Sequence, residues 1–506
     1  MTTLAQVVAK HAREKPSSVA FIEAATDETL TWGDYNNRAD RFAQYAHRYD
    51  RGDRLALQFE RGIDMHIAML GCERAGVVGV GIGPRAGKNE VEHLMDTTGA
   101  RALLTAMPEL PAVASVATPV DGSADDSGVH VGATTHTRDT KSRAFNDEEL
   151  WLLNSTSGTT GLPKCVMHHQ RRWFAFHALA AAAGAFTEDD VFMSLLPSPF
   201  GFGLWTSHFT PTILGAPCII LDRFAAAAAT EAIERHHVSV IAAVSTQFVM
   251  MLNDTAFETT DFSSLRALFT GGEMVPPTRA REWETRTDSR VLQFYGSNET
   301  GALSNTTFDD DEVVRLHTAG HVIPSLQVRL FDAETSADIT ASGGPGIAAC
   351  KGDINCLGYF NDDPANRELF TDDGWMRTGD LCTIDADGVL TVAGRASDFI
   401  IRGGKNISAA VVEQHCATMP GVALAAAVAK PDAVFGERVC IFCVVNDRAA
   451  SFTLPALLAH LGAQGVGKEY WPEYLVISHD DLARSSGGKV AKATLRTQAA
   501  ALKNIS

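Results

Sequence analysis

The run Ser155-Thr156-Ser157-Gly158-Thr159-Thr160-Gly161-Leu162-Pro163-Lys164 packs hydroxyls, two glycines and a lysine into one short segment directly after Leu152-Leu153. Small residues let backbone N–H groups approach a ligand closely, hydroxyls donate further hydrogen bonds, and the ammonium adds positive charge. That combination suits the tail of a nucleoside triphosphate. The Walker A spacing G-x-x-x-x-G-K-[ST] cannot be laid over it. Taken alone, the cluster reads equally well as a Ser/Thr/Gly-rich surface turn.

Four further runs follow in order. They are Tyr295-Gly296-Ser297-Asn298-Glu299-Thr300, Gly374-Trp375-Met376-Arg377-Thr378-Gly379-Asp380, Gly394-Arg395-Ala396-Ser397-Asp398 leading into Ile401-Arg402-Gly403-Gly404-Lys405-Asn406, and Gly488-Lys489-Val490-Ala491-Lys492. With the first run they resemble the signature motifs of the acyl-adenylate-forming superfamily. That superfamily comprises acyl- and aryl-CoA synthetases, peptide-synthetase adenylation domains and beetle luciferases. The resemblance extends from Leu30-Thr31-Trp32 to Arg496.

The resemblance implies a reaction in two halves. A carboxylate attacks the α-phosphate of ATP, giving an acyl-adenylate and pyrophosphate. A thiol then attacks the activated carbonyl and AMP leaves. The first half brings two anions together, so the site must supply positive charge and oriented donors. By the same resemblance Thr156, Ser157, Gly158, Thr159, Thr160, Gly161 and Lys164 would hold the β- and γ-phosphates. Glu299 is the expected ligand of Mg²⁺, which favours one or two carboxylates beside phosphate oxygens and water. Tyr295 would stack on adenine, with Gly296 and Thr300 of its motif beside it and Gly271-Gly272-Glu273 along the base's other edge. Asp380 would accept the ribose hydroxyls, and Arg395 would make a second ribose or phosphate contact. Lys489 would bridge the substrate carboxylate and the α-phosphate, with Lys492 as its fallback. Gly403 and Gly404 would leave room for the pantetheine of coenzyme A, the favoured thiol, and Phe202, Trp205, His208, Phe248 and Gly271 would line the acyl pocket. The implied acid is a medium-sized apolar, aromatic or alicyclic carboxylate.

The chain departs from the family pattern at several places. Asn298 stands where the family has Thr before the metal-binding glutamate, and its amide can still donate to an α-phosphate oxygen. Phe200-Gly201 replaces an aromatic-His pair, which makes the pocket wall smaller or re-aims Phe202. Ala483, Ser485 and Gly487 alter the lysine motif, and Ser397 replaces the usual Asp or Lys of the hinge. Competing readings are transfer of the acyl group to a carrier protein or an amine, a luciferase-like use of the fold, and a non-catalytic nucleotide-binding relative.

These residues need a scaffold. At 506 residues the chain exceeds one core. Strand-like Arg54–Phe59, helix-like Asp64–Arg74 and strand-like Gly76–Gly81 begin an alternation that predicts an α/β architecture with largely parallel sheets. Further along, Val191–Leu196, Val238–Val244 and Leu265–Phe269 read as strands, and Ala225–His236 as a helix. Residues from about Pro108 to Asn146 read as a crossover plus loop. The family resemblance implies a large domain over 1–395 and a small mobile α+β domain over 396–506 that carries Lys489. Sixty-one acidic against 43 basic residues, a formal charge of −18, argue against nucleic acid as a partner. No apolar stretch reaches the roughly 18–20 residues of a membrane span, and a cytoplasmic address is the default. A homodimer is compatible with these features. The nine cysteines read as reduced core thiols. Cys440-Ile441-Phe442-Cys443 has C-x-x-C spacing but sits in an apolar strand-like run without a second ligand pair.

Overall fold

Arg54–Leu57, Val78–Gly81 and Leu152–Ser155 are short, largely buried runs, the first two separated by helix Gly62–Ala75 and the latter two by helix Lys88–Thr98 and strand Leu103–Leu104. In the computed structural model the three strands pair in parallel, and Leu103–Leu104 joins the outer edge. A helical crossover returns the chain to the same end of the sheet, which is why helix-separated strands run parallel. Cys165–His168 closes the opposite edge antiparallel, in register Ser155↔Cys165. The phosphate-loop candidate therefore joins two paired antiparallel strands at the carboxyl end of a parallel strand, the end at which open α/β sheets bind ligands.

The structure describes residues 2–108, 143–156, 163–273, 275–395, 398–445, 452–484 and 490–503. Ser157, Gly158, Thr159, Thr160, Gly161, Ser397, Gly487, Gly488 and Lys489 lie outside the described residues, as does nearly all of the expected 108–146 crossover.

A second sheet has nine strands. Its parallel middle runs Arg290–Ser297, Ala267–Gly271, Val240–Ala242, Phe192–Ser194, Cys218–Ile220 and Val19–Glu23, with antiparallel strands at both edges. The strands predicted at 191–196 and 238–244 are shorter than read, covering Phe192–Ser194 and Val240–Ala242, although Leu195 and Ala243 each still donate one backbone bond to the neighbouring strand. A four-stranded antiparallel sheet of Gln327–Phe331, Gly346–Lys351, Met376–Ile384 and Leu390–Arg395 follows. The last sheet is built from Phe399–Arg402, Lys405–Ser408, Val422–Asp432, Gly436–Val445 and Tyr474–Ser478, covered by helices Ala409–Ala417, Leu454–Ala463 and Lys492–Ala501. The fold is α/β, and among the described residues no helix is long and apolar enough to cross a membrane.

All nine cysteines are buried thiols. Cys440 and Cys443 sit on one strand three residues apart, so their side chains leave opposite faces. Cys440 packs with Phe442 and Leu495, Cys443 with Ile441 and Leu457, and the two sulfurs cannot share a metal ion. Burial pushes the Cys440 thiol up to about 12. Replacing either with serine buries a hydroxyl in an apolar layer. Cys440→Ser and Cys443→Ser are each expected to cost about 1–3 kcal/mol in denaturant unfolding, without changing zinc content.

Candidate active site

The hairpin that carries the phosphate-loop candidate is tied at its neck. Thr156 donates its backbone N–H to the Lys164 carbonyl at 2.9 Å, and its Oγ1 accepts the Lys164 N–H at 3.1 Å. Across from it, segment 354–360 lies along the Cys165–His168 strand, through bonds from Met167 N to Gly358 O and from Phe360 N to Cys165 O. This segment delivers Tyr359. The Lys164 ammonium stands 4.8 Å over the Tyr359 ring, and the Tyr359 hydroxyl donates to Glu299 Oε1 at 2.8 Å. Burial first, and the adjacent Glu299 carboxylate second, push the Tyr359 phenol well above its usual range. The second Glu299 oxygen makes no hydrogen bond among the described residues. A half-satisfied carboxylate that shares Tyr359 with an ammonium fits the donor set of a hard divalent cation.

Glu299 and Asn298 sit in a turn whose shape is set by its neighbours. Ser297 and Thr300 bond across it, the Thr300 hydroxyl accepting the Ser297 N–H at 3.1 Å and donating to the Gly301 carbonyl at 3.1 Å. Thr300 is fully buried, so its hydroxyl belongs to the turn and not to a ligand face. Gly296 is dictated by close approach, since a Cβ there would stand 1.7 Å from the Gly301 carbonyl oxygen. The Asn298 amide donates to Asn154 Oδ1 at 2.7 Å, two residues before the phosphate loop begins.

Tyr295, Asp380 and Arg395 form one cluster. The Tyr295 hydroxyl donates to Asp380 Oδ2 at 2.9 Å, and Arg395 Nε approaches Asp380 Oδ1 at 3.5 Å from the neighbouring strand, in register Asp380↔Arg395. Burial, reinforced by Cys382 and Asp380, raises the Tyr295 phenol, so it stays a donor to the carboxylate. Gly271 ends its strand against Phe294, and Glu273 accepts the Thr246 N–H and hydroxyl at 3.0 and 2.7 Å. Gly272 turns the chain between them at φ +80°.

Of the pocket candidates, Phe202 and Trp205 stand together with Phe269 and Phe294, ring centroids 4.7–6.1 Å apart. Gly271 joins them through its pairing with Phe294. The structure does not bring the other two candidates there. His208 is 0% exposed, its Nδ1 2.7 Å from His66 Nδ1 and its ring stacked on His66, because the π-helical turn Leu204–Phe209 aims it into the core beneath Trp151. Phe248 packs edge-on to Trp283 at 5.8 Å in a separate core. Gly403 and Gly404, both at positive φ, form the two-residue turn of the hairpin Phe399–Arg402/Lys405–Ser408. That geometry by itself calls for glycine. Lys492 is paired, 2.8 Å from Glu413 Oε1 and 3.6 Å from Asp398 Oδ2, which removes it as a fallback for Lys489. The sequence reading missed Tyr359, Asn154, His168 and Arg172. Only the polar run His168-His169-Gln170-Arg171-Arg172, opening an otherwise apolar helix, hinted at the last two.

Residues 8–360 match a family model described as AMP-binding enzyme. The chain is 27% identical to the medium-chain fatty-acid–CoA ligase of Escherichia coli strain K12, over 98% of its own length and 90% of the relative's. It is 29% identical to the salicyl-AMP ligase / salicyl-S-ArCP synthetase of Mycobacterium tuberculosis strain H37Rv, over 94% and 87% of the two lengths. The crystal structure of ATP-bound MatB from Rhodopseudomonas palustris is similar, with a TM-score of 0.82 and 25% identity over 99% of each chain.

The turn at Gly296 is the most constrained point of the site. Gly296→Ala is expected to lower unfolding stability by about 1–3 kcal/mol and to alter the near-ultraviolet circular dichroism of Tyr295. A variant with unchanged stability would contradict the close approach.

Proposed function

This chain belongs to the AMP-binding enzyme family, in the acyl- and aryl-CoA synthetase branch of the acyl-adenylate-forming superfamily, and on that premise we propose that it joins a medium-sized apolar, aromatic or alicyclic carboxylic acid to coenzyme A. It is an AMP-forming acid–thiol ligase that uses ATP and works through an acyl-adenylate. The observation that carries the reading is the meeting of the Lys164 ammonium and the Glu299 carboxylate on Tyr359, one short turn along the chain from the Tyr295–Asp380 pair. One end thus has the charge pattern for a polyphosphate, the other a carboxylate for ribose hydroxyls.

In this reading Thr156, Ser157, Gly158, Thr159, Thr160, Gly161 and Lys164 hold the β- and γ-phosphates. Glu299, oriented by the Tyr359 hydroxyl, holds Mg²⁺, which would neutralise phosphate charge when bound. Tyr295 presents its ring to adenine while its hydroxyl keeps Asp380 aimed at the ribose, with Arg395 beside it. Gly271, Gly272 and Glu273 line the base. Asn298 donates an amide N–H to the α-phosphate as charge builds there, an electrostatic contribution. Lys489 bridges that phosphate and the acid's carboxylate.

The aromatic wall of Phe202, Trp205 and Phe269 supports an apolar acid, as do relatives named for a fatty acid and for salicylate. Coenzyme A is the acceptor we favour. A carrier-protein acceptor is the second reading, favoured by the name of the salicyl-AMP ligase / salicyl-S-ArCP synthetase. Residues 1–395 act as the nucleotide- and acyl-binding domain and 396–506 as a mobile domain. It turns about Ser397 to bring Lys489 in for adenylation and the Gly403–Gly404 face in for thiolation.

ATP–pyrophosphate exchange across a panel of carboxylic acids, without thiol, is expected to be acid-dependent and strongest with apolar or aromatic acids. No exchange with any acid would sink the reading. Lys489→Ala is expected to lower exchange by at least about 100-fold while leaving thiolysis of supplied acyl-adenylate largely intact. Equal loss of both half-reactions would contradict the two-state use of the mobile domain.

A further inference from the structure

Asn298 is held in a closed ring of hydrogen bonds. Arg172 Nη2 donates to the Asn298 carbonyl oxygen at 3.0 Å, and Arg172 Nη1 lies 2.6 Å from His168 Nδ1. Arginine only donates, so His168 accepts at Nδ1 and carries its proton on Nε2. That N–H donates to Asn154 Oδ1 at 2.7 Å, and Asn298 Nδ2 donates to the same oxygen at 2.7 Å. Asn154 is itself oriented, because its Nδ2 donates to the Pro199 carbonyl at 2.9 Å. Arg172 and His168 are 0% exposed and Asn154 is 1% exposed, so water does not compete for these bonds. The ring grips Asn298 at both its backbone and its side chain.

The oxygen side of the Asn298 amide abuts Gly201. A Cβ at Gly201 would stand 2.4 Å from Asn298 Oδ1. The end of a side chain could normally swing clear, but here its nitrogen is committed to Asn154. Two departures that look unrelated in the sequence are therefore one unit. The space vacated at Gly201 is filled by the larger amide at Asn298, not added to the acyl pocket.

We propose that Asn154 is a positioning residue for adenylation, with Gly201 as its steric counterpart. Together they hold the Asn298 amide in one orientation, one N–H spent on Asn154 and the other directed at the α-phosphate oxygen. The proposal rests on the acid-ligase reading above, in which Asn298 is the donor. It assigns a role to three buried residues, Asn154, His168 and Arg172, that make no substrate contact themselves.

The test is a set of exchange measurements on the full chain at saturating acid. Gly201→Ala leaves the ring's partners in place and crowds only Asn298. It is expected to lower kcat about 100-fold, the size of losing one oriented donor, with little change in KM for ATP and in melting temperature. Adding Asn298→Ser to Gly201→Ala should recover part of that loss by freeing the space. Asn154→Leu should lower kcat similarly in the wild type and have no further effect in an Asn298→Thr background, where the amide it positions is gone. Wild type without exchange overturns the ligase reading and this proposal with it. Wild type with exchange overturns the proposal alone if Gly201→Ala exchanges normally, or if the Asn154 and Asn298 effects multiply.

Discussion

A guanidinium buried without a carboxylate partner is expensive, on the order of several kcal/mol unless its donors are all satisfied. Arg172 is that group, and among the described residues no carboxylate pairs with it. Its charge is spread over the carbonyls of Ile354, Asn298 and Glu299 and the Nδ1 of His168, with the rings of Trp173 and Phe176 alongside. Burial lowers its pKa only to about 10, so it stays charged at neutral pH. Those acceptors belong to separate stretches of chain: the segment leading to Tyr359, the turn carrying Glu299, and the strand after the phosphate loop. Satisfying one cation therefore brings three parts of the site together, and the rigid fork of arginine sets their spacing.

The rest of the site is arranged outward from that point. Tyr359 links the Lys164 ammonium to the Glu299 carboxylate through opposite ends of one side chain, a face for the cation and a hydroxyl for the anion. On the strand that leads into the Glu299 turn, Tyr295 does the corresponding work for Asp380. Glu299 and Asp380 are thus each oriented by a phenol whose own ionisation burial suppresses. Such donors keep their direction across the neutral range, which is the condition for electrostatic preorganisation.

In the C-terminal part, Asp398 accepts Arg496 Nη2 at 2.6 Å and faces Lys492, which also reaches Glu413. Desolvation raises Glu413, and the Lys492 charge opposes that shift. These pairs fasten the strand after the proposed hinge to the helix that follows the Lys489 loop. Lys492 is thereby accounted for by its ion pairs.

Local pattern was enough for the α/β alternation, the element types and the order of the motifs. Strand and helix periodicity, and glycines where backbone approaches backbone, are properties of neighbouring residues. The family resemblance, not local pattern, singled out Lys164, Tyr295, Glu299, Asp380 and Arg395, which the structure gathers around Tyr359 and around Asp380. Strand ends ran short of their reading because a residue leaving a ladder looks, in sequence, like one still in it. Pocket membership failed for His208 and Phe248, since an aromatic ring at a buried position has the same residue type whether it faces a cavity or a core. Tyr359, Asn154, His168 and Arg172 were not legible, being 60 to 195 residues away from their partners or hidden as ordinary polar residues beside a motif. The sequence by itself determined which chemistry the chain is equipped for, because charge and hydrogen-bonding capacity belong to residue types. Only the tertiary structure decided which way those groups point, because a buried donor takes its direction from every acceptor packed around it.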